Sequence, residues 1–280
     1  MRVAACQMVS GINLASNLAA AEKLLQQAAE NGAEMAVLPE YFCLMGASES
    51  DKYRIAEPFG KGLIQEFLKR CARQYKLWVV AGTVPLVNSV SLEHCKVFNS
   101  TLALNPEGEC AARYDKIHLF KFDNGVESYE ESRVITPGQL PVTFDLPSAD
   151  RHTWRVGLSI CYDLRFPELY RALGADLLLV PSAFTHTTGS VHWEVLLRAR
   201  AIENLACVLA AAQGGEHENG RRTWGQSMVI NAWGNILAQQ SQGAGVVLAD
   251  IDMPALVAMR LQLPALNHAV LNQPVLNQPM

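Results

Sequence analysis

Cys161, Glu40 and Lys116 each stand at the end of a segment that reads as a strand. Trp154-Arg155-Val156-Gly157-Leu158-Ser159-Ile160 reads as a buried strand and runs into Cys161-Tyr162-Asp163-Leu164-Arg165-Phe166-Pro167-Glu168. Pro167 suits the first turn of a helix, where a missing N–H costs nothing, so the thiol lies on a sharp strand-to-helix turn. Glu40 follows Met35-Ala36-Val37-Leu38-Pro39, and Lys116 follows Ala111-Ala112-Arg113-Tyr114-Asp115. In open α/β sheets ligands bind beyond the carboxyl ends of the strands. A thiol, a carboxylate and an amine at such ends are the parts of an amide-cleaving site. The thiol attacks as thiolate and so needs a base or a positive neighbour. The tetrahedral oxyanion then needs a donor set in place beforehand. Histidine is the commoner base for a cysteine nucleophile, and His118 and His192 lie nearby in sequence, but each reads more simply as a polar packing residue. Glu40 as base with Lys116 as oxyanion donor is the sharper arrangement.

The elements that must position these residues alternate in type. Residues 3–8 and 34–38 read as strands around a helix at 14–30, whose apolar face is Leu18, Ala21, Leu24, Leu25 and Ala28. Asn31-Gly32 ends that helix, with Gly32 suited to the left-handed cap. A helix at 64–75 precedes a buried strand at 77–84, and strands at 97–104 and 110–114 flank the turn Asn105-Pro106-Glu107-Gly108. After the cysteine come a helix at 167–173, a strand at 177–181, a helix at 192–204 and a strand at 207–212. A hairpin crosses Trp233-Gly234-Asn235, and a strand at 246–251 ends the sheet material. About a dozen strands are too many for one doubly wound sheet. Two sheets face to face with helices outside, an α-β-β-α sandwich, explain strands that are apolar on both faces. We expect one domain over 1–262 and an extended tail over 263–280. In the tail Val270-Leu271-Asn272-Gln273-Pro274 recurs as Val275-Leu276-Asn277-Gln278-Pro279.

Composition narrows the partners. The chain has 280 residues, is half apolar and carries a net charge of −4. No basic run exceeds Arg221-Arg222, which argues against nucleic acid or an anionic membrane as partner. The start has no signal-peptide pattern, and no apolar run approaches the ~18–20 residues that span a bilayer, so a cytoplasmic protein is expected. The seven cysteines are widely spaced without a C-x-x-C pair, which leaves no zinc ribbon or redox couple. Apart from Cys161 they read as small buried hydrophobes.

Three segments in order, Leu38-Pro39-Glu40, Tyr114-Asp115-Lys116-Ile117-His118-Leu119 and Cys161 to Glu168, resemble the signature segments of the nitrilase (carbon–nitrogen hydrolase) superfamily. The similarity runs from residue 1 to about 262. The resemblance implies the α-β-β-α fold, a homodimer that extends the sandwich, and a Glu-Lys-Cys triad of Glu40, Lys116 and Cys161, with no metal or organic cofactor. The family's further glutamate falls on Glu131, with Glu127 and Glu130 close by. Ser182-Ala183-Phe184, residues 188–203 and residues 210–217 resemble the deaminated glutathione amidase branch, which implies cleavage of a 2-oxo acid amide to 2-oxoglutarate and cysteinylglycine. Arg165 is then a candidate grip for the substrate carboxylate, because a guanidinium can hold a carboxylate through two parallel bonds. An ion pair with Asp163 or Glu168 is its plainer reading, and the role then passes to another basic residue, with Arg221 and Arg222 next in line. The chain departs from its relatives after Leu263-Pro264, where their arginines are replaced by the repeat. Three other functions remain open at this point: an ω-amidase acting on 2-oxoglutaramate, a true nitrilase, and a catalytically silent binding subunit.

Overall fold

The computed structural model describes residues 1–87 and 96–268. Its first half builds β1 (Arg2–Gln7), α1 (Leu14–Glu30), β2 (Met35–Val37), α2 (Leu63–Tyr75), β3 (Trp78–Val80), β4 (Val84–Val87), β5 (Val97–Leu104) and β6 (Cys110–Asp115). A small hairpin of β7 (Lys121–Asp123) and β8 (Ser128–Glu130) follows. The second half adds β9 (Thr143–Pro147), β10 (Thr153–Leu158), α3 (Pro167–Leu173), β11 (Leu177–Leu179), α4 (His186–Asn204), β12 (Cys207–Ala210), β13 (Ser227–Ile230) and β14 (Ile236–Gln240). The chain then returns to the first sheet with β15 (Gly245–Asp250) and closes on α5 (Met253–Gln262).

Two sheets result. One runs β15-β1-β2-β3-β5-β4 with β6 on the other edge of β5, and the second runs β14-β13-β12-β11-β10-β9. Alternation along β1 shows how the layers stack. Val3 and Ala5 join Trp154, Val156 and Leu177 in a core between the sheets, whereas Ala4 and Cys6 turn to the opposite face. There they meet Leu18, Leu25 and Ala28 of α1 and Ile64, Leu68 and Cys71 of α2. On the second sheet Leu169 and Leu173 of α3 and Trp193 and Leu197 of α4 form the covering layer. The architecture is the α-β-β-α sandwich expected from the doubly apolar strands.

The boundaries follow local chemistry. Helix α1 spans the predicted residues, because the Asn13 side chain accepts from Ser16 N–H at 3.0 Å and Gly32 takes φ +77° just past the end. The predicted strand at 77–84 is two short strands instead. Gly82 adopts φ +47°, and a Cβ there would lie 2.0 Å from the Pro39 carbonyl oxygen, so the chain bends around the segment that carries Glu40. Helix α4 begins six residues earlier than predicted, at His186, because Thr185 supplies an N-cap. At the C-terminus Ala265–His268 forms a 3₁₀ turn where extended chain was expected, and the repeated segment lies outside the described residues. Among the described residues no helix is long and apolar enough to cross a membrane.

Candidate active site

Glu40 follows β2, Lys116 follows β6 and Cys161 follows β10, and the sandwich brings all three to the wall of one small cavity. Glu131 lines it as well, on a single 3₁₀ turn after β8. Lys116 is 1% exposed and bridges the two carboxylates. Its Nζ lies 2.9 Å from Glu40 Oε1 and 2.8 Å from Glu131 Oε2. Glu40 also accepts from Asn99 Nδ2 at 3.0 Å and from the Ala183 N–H at 2.9 Å. Glu131 accepts from the Tyr41 hydroxyl at 2.6 Å and from the Phe120 N–H at 2.8 Å. Every charged oxygen is therefore matched by a donor, as burial of such groups requires.

These contacts fix the protonation states. Burial pushes the Lys116 ammonium down, but the charges of Glu131 and Glu40 outweigh it and hold the amine well above its ordinary value. Burial likewise opposes ionisation of Glu131, and the Lys116 charge with its hydrogen bonds holds the carboxyl below the usual range. The Cys161 thiol is raised, first by burial and next by the Glu40 charge, with Lys116 offsetting only part. At neutral pH the site therefore holds an ammonium, an ionised Glu131 and a protonated thiol. Burial also pushes Cys6, Cys43, Cys71 and Cys207 up to about 12, so surroundings rather than acidity separate Cys161 from its fellows.

The nucleophile turn is tightly fixed. Cys161 adopts φ +48°, a left-handed conformation that costs a non-glycine residue about 1–2 kcal/mol. The strain is held by the Cys161 N–H, which donates to Pro181 O at 3.0 Å, and by Asp163. Fully buried, the Asp163 carboxylate accepts from Ile160 N–H at 2.8 Å and from the Tyr114 hydroxyl at 2.7 Å. It also accepts from His118 N–H at 3.1 Å and lies 2.7 Å from His118 Nδ1. One carboxylate thus ties the cysteine turn to the lysine segment on both sides of Lys116.

His118 stacks on Phe166 with ring centroids 3.6 Å apart, and among the described residues no histidine lines the cavity. Arg165 does not reach the cavity wall. Its guanidinium lies over Phe184 at 5.4 Å and Tyr162 at 5.9 Å, two rings that do line the cavity. It meets His192 Nδ1 at 3.3 Å rather than Asp163 or Glu168. The cation on the wall besides Lys116 is Arg221. Glu127 and Glu130 stand apart, the first bonded to Thr187 and the second to Lys121 and Arg133. Sequence reasoning missed Asn99, Tyr41 and the Ala183 N–H. Only Asn99 gave a signal, as a polar residue inside an apolar strand. Among the described residues no cluster of three or more His, Cys, Asp or Glu side chains is arranged to hold a metal.

The carbon-nitrogen hydrolase family model matches residues 2–261. A deaminated glutathione amidase of Yersinia enterocolitica is 39% identical over 271 residues, which cover 95% of this chain and 92% of that one. Among solved structures, the NitFhit protein of C. elegans superposes with a TM-score of 0.84 at 35% identity, over 96% of this chain and 65% of the longer one. A CN-hydrolase superfamily protein of Xanthomonas campestris, solved with an arsenic adduct in its active site, gives 0.84 at 27% identity and 99% of both chains.

Proposed function

The chain belongs to the carbon–nitrogen hydrolase family and is a hydrolase of non-peptide carbon–nitrogen bonds, and on that premise we propose that it cleaves deaminated glutathione to 2-oxoglutarate and cysteinylglycine through a thioester on Cys161. The observation that carries the chemistry is the meeting of thiol, carboxylate and ammonium on one cavity wall. Because the resting thiol is protonated, attack on the amide carbon must be coupled to proton transfer, and Glu40 is the acceptor. Lys116 stays charged throughout and supplies positive charge to the oxyanion as it forms. Glu40 then passes its proton to the leaving amine, the C–N bond breaks and the thioester remains. A water that gives its proton to Glu40 attacks the thioester, the C–S bond breaks to release the acid, and Glu40 returns the proton to the Cys161 sulfur. Glu131, held by Tyr41 and the Phe120 N–H, orients Lys116.

The substrate is drawn from the Yersinia relative, which is an amidase of that name across nearly its whole length. Arg165, the carboxylate grip expected from sequence, stands behind Phe184 and Tyr162 rather than on the cavity wall. We take residues 1–262 as the hydrolase domain, with 263–280 a tail, and the protein as cytoplasmic. We also take it to be a homodimer, which is supported by Val191 and Val195 of α4, each 67% exposed, and by Trp233 at 51%. The test is a direct comparison of deaminated glutathione and 2-oxoglutaramate. The proposal expects the larger kcat/KM on deaminated glutathione, with cysteinylglycine as co-product. A preference for 2-oxoglutaramate, with ammonia released, would replace it with an ω-amidase.

A further inference from the structure

We propose that Arg221 receives the carboxylate on the acyl half of the substrate and so selects for negatively charged amides. The inference rests on the reading that the substrate is the amide of a carboxylate-bearing acid. It begins from the charges on the cavity wall. Glu40 and Glu131 are two carboxylates, and Lys116 is the single ammonium between them, with its hydrogen bonds directed to both. Those three groups leave the wall negative, which disfavours an anionic substrate. Arg221 lines the same cavity and is the further cation there.

Its own bonding is incomplete. Nη2 donates to Ala183 O at 3.0 Å, while Nη1 faces only the Met45 sulfur at 3.9 Å, a weak acceptor. Nε is buried without a partner. Of the other arginines that are at least partly buried, Arg113 pairs with Asp115, Arg200 with Glu203 and Arg260 with Asp176, while Arg165, which meets only His192, stands off the cavity wall. Arg221 instead lies over the Tyr129 ring at 5.0 Å, and no ion pair holds it among the described residues. The turn that carries it is fixed, since Arg221 N–H donates to Asn219 Oδ1 at 2.9 Å and Asn219 Nδ2 donates to Gly46 O at 2.6 Å. A guanidinium held in place, facing a cavity and lacking a counter-ion is preorganised for a carboxylate, and the charge-assisted bonds to one are the strong kind.

A purely structural role would run through Ala183, whose carbonyl accepts from Arg221 and whose N–H donates to Glu40. The test separates the two. It measures kcat/KM for the monoamide of glutaric acid, which is charged, and for pentanamide, which is neutral and of equal length, in the wild type, Arg221→Gln, Arg221→Lys and Arg165→Gln. Recognition by Arg221 lowers the charged-to-neutral ratio by about ten- to a hundredfold in Arg221→Gln, whatever the absolute rates, and Arg221→Lys restores part of it. Equal loss on both amides, or a ratio that moves only in Arg165→Gln, overturns the proposal. A wild type that shows no preference for the charged amide overturns the substrate-class reading itself, and is seen before any variant is made. If turnover is too slow to follow, the rate of Cys161 alkylation by iodoacetate relative to iodoacetamide reads the same selection without catalysis. An unchanged ratio in Arg221→Gln again overturns the proposal.

Discussion

Replacing Glu131 by glutamine removes one charge from the cavity wall and leaves the volume nearly unchanged. The carboxylate meets three donors, the Tyr41 hydroxyl at 2.6 Å, the Phe120 N–H at 2.8 Å and Lys116 at 2.8 Å. A glutamine offers one oxygen and one NH₂ group, so at least one donor must face another donor. Breaking a buried ion pair costs about 3–5 kcal/mol when the partner is left alone. Lys116 keeps Glu40 at 2.9 Å, so the loss belongs at about 2–3 kcal/mol. At roughly 2 °C per kcal/mol for a chain of this size, Tm should fall by about 4–6 °C. Loss of alignment at an oxyanion donor should lower kcat by about a hundred- to a thousandfold. The acid dependence has a definite sign. Glu131 is held below its ordinary value in the folded protein, so the stability it adds is full above the unfolded value of about 4.3 and is lost as pH falls through the depressed folded value. The gap between wild type and variant, measured by denaturant unfolding at several pH values, should therefore narrow only in acid. A Tm within about 1 °C of wild type together with kcat within about threefold would refute the reasoning, as would a gap that widens on acidification.

Cys161→Ala should fall below about a thousandth of wild-type turnover while folding normally, checked by kinetics beside circular dichroism. Cys161→Gly should be equally inactive but more stable than Cys161→Ala by about 1 kcal/mol in urea, since glycine relieves the left-handed strain at φ +48°. Glu40→Gln should remove nearly all turnover in steady-state kinetics, because the protonated thiol loses its base, while Cys161 stays open to iodoacetamide. A Glu40→Gln enzyme of near-normal kcat beside an inactive His118 variant would instead favour a histidine base. Gly82→Ala should cost about 3 kcal/mol or more in unfolding experiments and depress activity with it, since the new methyl meets the Pro39 carbonyl beside Glu40.

The candidate site residues Glu40, Lys116 and Cys161 were legible because each ends a strand, and the layer order followed from strands apolar on both faces. Helix α1 was legible to its ends through Asn13 and Gly32. What escaped depends on partners remote in sequence. The break at Gly82 arises from contact with Pro39, which no local pattern encodes. The first turn of α4, with polar His186 and Thr187, has no apolar periodicity, so only its Thr185 cap could have marked it. The strands β7, β8 and β9 and the helix α5 are short or weakly patterned. Asp163 read as a possible partner for Arg165, whereas its bonds reach Tyr114 and His118 across 49 and 45 residues. The cation on the cavity wall stood second to Arg165 for the same reason, since Arg165 lies beside the nucleophile in sequence and Arg221 arrives from a distant turn.

The central claim is a covalent acyl-enzyme on Cys161. Wild-type protein should be mixed with deaminated glutathione, quenched in acid within one turnover and digested for mass spectrometry. The account predicts a 2-oxoglutaryl thioester on the peptide that carries Cys161, formed and consumed at the rate of turnover and absent from Cys161→Ala. Full turnover with no adduct on that peptide, or an adduct on another cysteine, would contradict it.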